Sequence, residues 1–277
     1  MTEARRGATP PERPASPSPS PSPSLRLQRL FARYARRYLR KSFHALRVRD
    51  LRRLEVPDEV PIVVFMNHAS WWDPIVGAVL THRLAPTRRA YSPIDADALR
   101  RYRFFARLGF FGVTQGRLRG AREFLVTARR LCARERSVLW LTPQGRFSDV
   151  RERPPSLAPG LGHLAARLDA AVFLPIAVEY CFWEERLPEV LVLAGETIVS
   201  DGTIGPKGPK EWTEHFAAAL ASTQDQLALL SRERRVDQFD VLVEGRAGVG
   251  FVYDAWRGLR AALTGQRFRR RHGDCDR

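Results

Sequence analysis

The sequence predicts an α/β fold: a mixed, mostly parallel sheet flanked by helices, with a basic amphipathic N-terminal helix before it and a helical C-terminal appendage after it. Three observations carry that expectation. Short apolar runs of strand length alternate with segments of helical period, the pattern of strands joined by crossover helices. The first of those runs, Val60 to Met66, is apolar throughout, as a strand covered on both faces must be. With 277 residues, 44% of them hydrophobic and 27% charged, the chain is long enough to bury one large core or two small ones.

Residues 1–24 are dominated by Pro and Ser and end in an alternation from Pro17 to Ser24, so they read as a disordered tail. Composition then changes abruptly. Leu27, Leu30, Phe31, Tyr34, Ala35, Tyr38 and Leu39 recur at three- and four-residue spacing with arginines between them, which makes residues 25–47 a basic amphipathic helix. Two roles fit such a helix: packing on the domain with a solvated charged face, or lying in the headgroup boundary of an anionic membrane.

Residues 48–200 form the α/β core. After the Val60 strand, Asp73 to Leu80 begins a helix, Phe110 to Thr114 is a strand, and Arg119 to Arg134 is a helix with Phe124, Leu125, Ala128 and Leu131 on one side. Ser137 to Leu141 is a strand, Gly160 to Leu168 a helix, and Val172 to Val178 and Glu189 to Leu193 are strands. Residues 201–277 read as helical, with Glu211 to Leu230 and Phe251 to Leu263 as periodic segments behind a Gly/Pro-rich linker from Gly202 to Lys210.

Charge narrows the partners without choosing one. The net charge is +16, which favours nucleic acid, anionic lipid or phosphorylated substrates. Of the 46 basic residues 43 are arginine, a bias a GC-rich genome produces without selection for phosphate contacts. Cys132, Cys181 and Cys275 have no CxxC spacing, so neither a disulfide framework nor a cysteine zinc site is indicated. His82, His163 and His215 lack partners at metal-ligand spacing; no metal and no cofactor is expected. No apolar run approaches the roughly 18 to 20 residues of a spanning helix, and the N-terminus lacks the apolar block of a secretory signal.

The most informative passage follows the first strand: Asn67-His68-Ala69-Ser70-Trp71-Trp72-Asp73-Pro74. An imidazole that takes a proton near neutral pH, with a carboxylate to fix its tautomer, is a general-base pair. On one continuous helix residues five apart point roughly 140° from each other, so His68 must lie outside the helix that Asp73 begins. Ser70-x-x-Asp73 matches a capping box, with Ser70 as N-cap and Asp73 at the third helical position, and Pro74 fits in the first turn. The plainer alternative is a capping Asp73 beside a loop histidine.

Asn67-His68-x-x-x-x-Asp73 resembles the HX4D signature of the glycerolipid acyltransferases, which include 1-acyl-glycerol-3-phosphate acyltransferase. Three further blocks follow in that family's order. Gly109-Phe110-Phe111-Gly112-Val113-Thr114-Gln115-Gly116-Arg117 resembles its second, Thr142-Pro143-Gln144-Gly145-Arg146-Phe147-Ser148 its third, and Phe173-Leu174-Pro175-Ile176-Ala177-Val178 its fourth, an apolar strand with a central proline. The third departs from the pattern: Gln144 stands where the family has Glu, and the block's arginine is displaced by one position, to Arg146. Gln keeps the shape and an acceptor oxygen and loses the charge.

The resemblance implies an acyltransferase that moves a fatty acyl group from an acyl-CoA or acyl-ACP donor to a hydroxyl of a lysophospholipid-like acceptor. It implies His68 as general base oriented by Asp73, Arg117 on the acceptor phosphate, and Gln144, Gly145, Arg146 and Pro175 as further substrate-binding residues. Arg151 and Arg153 could share the phosphate role, although a solvated charge run explains them as well. The expected location is the cytoplasmic face of an anionic membrane surface, held peripherally. The competing readings are a basic nucleic-acid-binding protein, for which no recognised motif is present, and a catalytically silent lipid-binding relative, motivated by Gln144.

Overall fold

In the computed structural model, residues 21–246 are described, apart from 22, 53, 115, 117 and 202–207. The strands are β1 (Ala45–Arg49), β2 (Ile62–Met66), β3 (Arg89–Asp95), β4 (Phe110–Val113), β5 (Ser137–Leu141), β6 (Ala171–Cys181), β7 (Glu189–Ala194), β8 (Ile198–Ser200) and β9 (Asp240–Glu244). They form one sheet in the order β4-β3-β5-β2-β6-β7-β1-β9, with β8 also paired to β6. The five strands from β4 to β6 are mutually parallel, and β7, β8 and β9 add antiparallel pairings. The expected mixed, mostly parallel sheet is therefore what forms.

Helices cover both faces because the central strands are apolar on both. β2 is buried at every residue. Ile62, Val64 and Met66 point to the face covered by α1 (Leu25–Ser42) and α2 (Asp73–Leu84). Val63 and Phe65 point to the face covered by α4 (Leu118–Cys132), α5 (Gly160–Ala165) and α6 (Pro209–Arg232). The short helix α3 (Ala96–Arg101) starts at Asp95, whose side chain accepts the N–H groups of Asp97 and Ala98.

The layout differs from the sequence expectation at the ends. The first helix stops at Ser42, and residues 45–47 are already strand: Ala45 to Arg49 lies between β7 and β9 and is buried by both. The region after residue 200 is no helical appendage where it is described. Trp212, Phe216 and Leu220 of α6 are buried in the core, and β9 extends the sheet beside β1. β3 escapes the pattern because Arg89-Ala-Tyr-Ser-Pro-Ile-Asp lacks an apolar run; pairing on both sides makes it a strand. The segments 1–20, Gly202 to Lys207 and Phe251 to Leu263 lie outside the described residues.

One feature of the topology sets up a site. From β2 the chain leaves through α2 on one face to reach β3; from neighbouring β5 it leaves through α5 on the other face to reach β6. Adjacent strands whose connections depart on opposite faces open a crevice beyond their carboxyl ends. His68 follows β2, and Gln144 to Arg146 follow β5.

Candidate active site

The strand end is held by a side chain. β2 stops at Met66, and the Asn67 amide then makes the next pair of ladder bonds in its place: Nδ2 donates to the Val178 carbonyl at 2.9 Å, and Oδ1 accepts from the Val178 N–H at 2.8 Å. Asn67 is buried, so each bond replaces one that water cannot supply. His68 therefore leaves the sheet from a fixed point. Its own backbone is held from the β5 side: the His68 N–H donates to Gln144 Oε1 at 2.7 Å, and its carbonyl accepts from the Ser148 N–H at 2.9 Å. The sequence builds that clamp locally. Pro143 sits second in a turn closed by the Gly145 N–H on the Thr142 carbonyl at 3.0 Å, and Gly145 has φ of 67°, a conformation that glycine adopts without strain.

Asp73 meets the ring. Its Oδ2 lies 2.6 Å from His68 Nδ1 and accepts the Ser70 N–H at 3.1 Å; its Oδ1 accepts the Tyr180 hydroxyl at 2.7 Å. Asp73 is 2% exposed, and the His68 side chain is 20% exposed. An ionised carboxylate only accepts, so Nδ1 carries the proton and Nε2 is the basic nitrogen of the neutral ring. The capping box forms in part. The Asp73 carboxylate takes the Ser70 N–H as expected, but Trp72 is the N-cap and Asp73 the first helical residue. Pro74 explains the shift: it has no N–H to bond the Ser70 carbonyl, so residues 70–73 close as a turn through the Asp73 N–H, and the first helical bond runs from Val76 to Trp72.

His68 and Asp73 border a cavity of about 910 Å³, at the upper end of ligand-binding clefts. It extends from Met66 and Thr142, at the carboxyl ends of β2 and β5, to Arg88 and Ala90 at the start of β3. Phe31 and Ala32 of α1, Gly77 and Ala78 of α2, Tyr91, Phe110, Phe124 and Trp140 give it mostly apolar walls. The Arg88 guanidinium at the far end is buried and donates to the carbonyls of Val56, Pro57 and Val60 at 2.5 to 2.8 Å. Burial lowers its pKa from the usual arginine value.

Residues 46–179 match the family model described as Acyltransferase. Over that stretch the chain is similar to proteins of the acyltransferase family. No curated protein sequence matches it. Among solved structures it is similar to the crystal structure of the 1-acyl-sn-glycerophosphate (LPA) acyltransferase PlsC from Thermotoga maritima, with a TM-score of 0.49 and 14% sequence identity, over 74% of this chain and 79% of that chain. The matched stretch runs from β1 into β6 and contains His68, Asp73 and the Gln144 turn; Tyr180 stands one residue beyond it.

Around the cavity the expected residues are placed differently. His68, Asp73, Gly145 and Arg146 border the cavity, and Gln144 acts on the His68 backbone without bordering it. Arg146 is already paired, through Nη2 to both Glu152 oxygens at 2.8 and 3.1 Å. Pro175, expected to bind substrate, is buried in β6 away from the cavity. It sits where β7 ends and β8 begins, and its carbonyl accepts the Gly195 N–H at 2.9 Å; a proline fits a central strand where the neighbouring ladder is interrupted. Arg117 lies outside the described residues. Arg151 is bound to Asp149 and Arg153 to Asp225, and neither borders the cavity.

Sequence reasoning missed two neighbours of the histidine. The Phe147 ring lies 4.3 Å from the His68 ring, centre to centre, although Phe147 stood in the third block. Tyr180 carried no signal, because only the β2–β6 register brings it to Asp73. Trp72 packs against Phe43 and Tyr38, whereas Trp71 is 56% exposed. Burial pushes the thiols of Cys132 and Cys181 up to about 12, which keeps both protonated at neutral pH and unsuited to forming an acyl-enzyme.

Proposed function

We propose that this acyltransferase moves a fatty acyl group from a CoA or ACP thioester to a hydroxyl of a lysophospholipid-like acceptor, with His68 as the general base. The observation that carries the reading is the buried Asp73–His68 pair opening on a large apolar cavity at the switch point of the sheet. Such a cavity takes a fatty chain by the hydrophobic effect, and a chain lying along it ends beside the imidazole. His68 Nε2 takes the proton of the acceptor hydroxyl, the oxygen attacks the thioester carbonyl, and the C–S bond breaks as the tetrahedral intermediate collapses. The proton held on His68 passes to the departing thiolate. Asp73 stays ionised and stabilises the imidazolium in between.

Positioning supplies much of the rate, because a thioester is already reactive. The oxyanion needs donors. The Gly145 N–H is engaged with Thr142, which leaves the neighbouring N–H groups of the turn for that role. Arg146, at the cavity edge, is the described cation suited to an acceptor phosphate, exchanging Glu152 for it; Arg117 would join it. The frame around His68 also bears on the silent-relative reading: Gln144 holds the His68 N–H with its amide oxygen, a task that needs no negative charge and therefore favours an active enzyme. The nucleic-acid reading rests on net charge and arginine clusters, with no recognised motif beside them.

The test is an assay of the purified protein with acyl-CoA and acyl-ACP against a panel of lysophospholipids, with products identified by mass spectrometry. The expected result is one diacyl product formed from one preferred donor. Hydrolysis alone, or no product from any pair, counts against the reading.

A membrane site follows from lipid substrates. Among the described residues no helix is long and apolar enough to cross a membrane. The α1 helix packs on α2 through Ala32, Ala35 and Leu39, while Leu30, Tyr34 and Trp71 are 54, 57 and 56% exposed. Phe31, Tyr34, Tyr38 and Trp71 form a row with ring centres 6.0 to 6.4 Å apart, beside the His68 end of the cavity. This row, flanked by arginines of α1, is the surface proposed to lie on an anionic bilayer, peripherally and at its cytoplasmic face. Because α1 is also a wall of the cavity, substitution is a cleaner test than deletion. The triple variant Leu30→Glu, Tyr34→Glu, Trp71→Glu is expected to lose vesicle binding by on the order of a hundredfold, and wild-type binding is expected to weaken with salt. Unchanged sedimentation with anionic vesicles would remove the membrane assignment.

A further inference from the structure

We infer that Tyr180 is a positioning residue of the transfer reaction: its hydroxyl fixes one oxygen of the Asp73 carboxylate so that the other stays on the His68 ring. The inference rests on His68 being the general base. Asp73 divides its two oxygens between different tasks. Oδ2 takes His68 Nδ1 and the Ser70 N–H, and Oδ1 takes the Tyr180 hydroxyl. The last bond locks rotation of the carboxylate about its terminal torsion, which is otherwise soft.

The placement of Tyr180 is a consequence of the sheet. β6 pairs with β2 up to Met66–Ile176, and the Asn67 side chain carries the register on to Val178. Side chains alternate along a strand, so Tyr180 shares the face of Ile176 and Val178, the face on which α2 lies. Its ring packs on Phe43, centre to centre 5.9 Å, and Phe43 packs on Trp72 at 4.8 Å. The tyrosine thus joins the sheet to the first residue of α2, on the side of Asp73 away from the cavity, and is not among the cavity's walls. It acts through Asp73 and touches no reacting atom.

The chemistry of the phenol suits the task. Burial, then the Asp73 charge and the bond to it, raise the Tyr180 pKa well above the usual phenol value. The hydroxyl therefore remains a donor over the working pH range, and no proton leaves it. A donor on Oδ1 draws negative charge from the carboxylate and moderates its hold on the imidazolium. The other ionisable groups bordering the cavity, among the described residues, are Arg146 with its partner Glu152, Tyr91 and Asp95 of β3, Arg29 of α1, His82 of α2, and Arg88. None of these is hydrogen-bonded to Asp73, so the Tyr180 bond is separable from them.

Two variants read the effect in opposite directions in the full-length protein. Tyr180→Phe keeps the ring and removes the donor. It is expected to lower kcat about tenfold, leave KM for both substrates within about twofold, and move the acidic limb of the pH profile of kcat/KM upward by about half a unit, because the less-solvated carboxylate favours the imidazolium. Incorporating 3-fluorotyrosine at 180 supplies a stronger donor and is expected to move that limb downward. A role confined to packing would lower the melting temperature and leave the limb in place. His68→Ala runs beside them: if it turns over like wild type, the general-base reading fails. If His68→Ala is inactive while Tyr180→Phe retains wild-type kcat and acidic limb, the Tyr180 proposal alone is overturned. Should Tyr180→Phe not fold, an unmoved limb in the fluorotyrosine protein overturns it.

Discussion

Replacing His68 by alanine is expected to lower turnover by a factor of about 10² to 10⁴, the range a positioned general base contributes, with the melting temperature close to that of the wild type. The side chain is partly exposed at the cavity wall, and the backbone bonds that hold residue 68, from Gln144 and to Ser148, do not involve it. The expected cost is thus chemical rather than structural. Asp73→Asn is a harsher change. The carboxylate accepts from donors on both oxygens: His68 Nδ1 and the Ser70 N–H on one, the Tyr180 hydroxyl on the other. An amide has a single acceptor oxygen. If its oxygen faces His68 and Ser70, its NH2 confronts the tyrosine hydroxyl, which must then turn to accept. If its NH2 faces His68, the ring proton is driven to Nε2 and the base is lost, the same wrong-tautomer effect that disables a Ser-His-Asp triad. Both arrangements lower the rate. The second also leaves the Ser70 N–H without an acceptor, at a cost of about 1–3 kcal/mol. Because the two residues act as one unit, the double variant is expected to be no slower than His68→Ala. Initial rates and thermal melts check all three, and a His68→Ala protein at the wild-type rate ends the mechanism.

The second large effect is expected at Gly77. This residue of α2 borders the cavity, and a Cβ there would sit 3.6 Å from the Trp140 ring, an ordinary contact. Gly77→Leu therefore brings no backbone clash at Cβ, and its added carbons are expected to take up room on the cavity wall where α2 faces Trp140. Overfilling a packed apolar site costs about 1–3 kcal/mol, which corresponds to roughly a ten- to hundredfold loss for chains long enough to pass Gly77. Shorter chains that end before it are expected to keep most of their rate. A series of acyl thioesters of increasing length reads the result as a ratio of kcat/KM values. Equal losses at every length would mean that the chain does not run between α2 and Trp140.

What the sequence could disclose follows from the distance over which each feature is encoded. The His68–Asp73 pairing, the Pro143–Gly145 turn and the apolar central strands are each written within a few residues, where strand period, turn preference and the missing N–H of a proline act directly. Even there the capping pattern alone puts the start of α2 two residues early, since it competes with Pro74 and Pro74 prevails. Pro175 shows the opposite limit. Its block was recognisable, yet whether a proline in a buried strand faces a substrate or the break between β7 and β8 depends on which strands lie beside it.

The amino-acid order by itself determined the α/β class, the strand that delivers His68 and the local pair of imidazole and carboxylate, because these depend on period and on contacts between near neighbours. Tertiary structure alone decided that Tyr180 grips Asp73, that Gln144 grips the His68 backbone, that α1 forms a wall of the cavity and that β9 completes the sheet. Those contacts join residues 76 to about 200 positions apart, and register and packing, which no short window of sequence contains, bring them together.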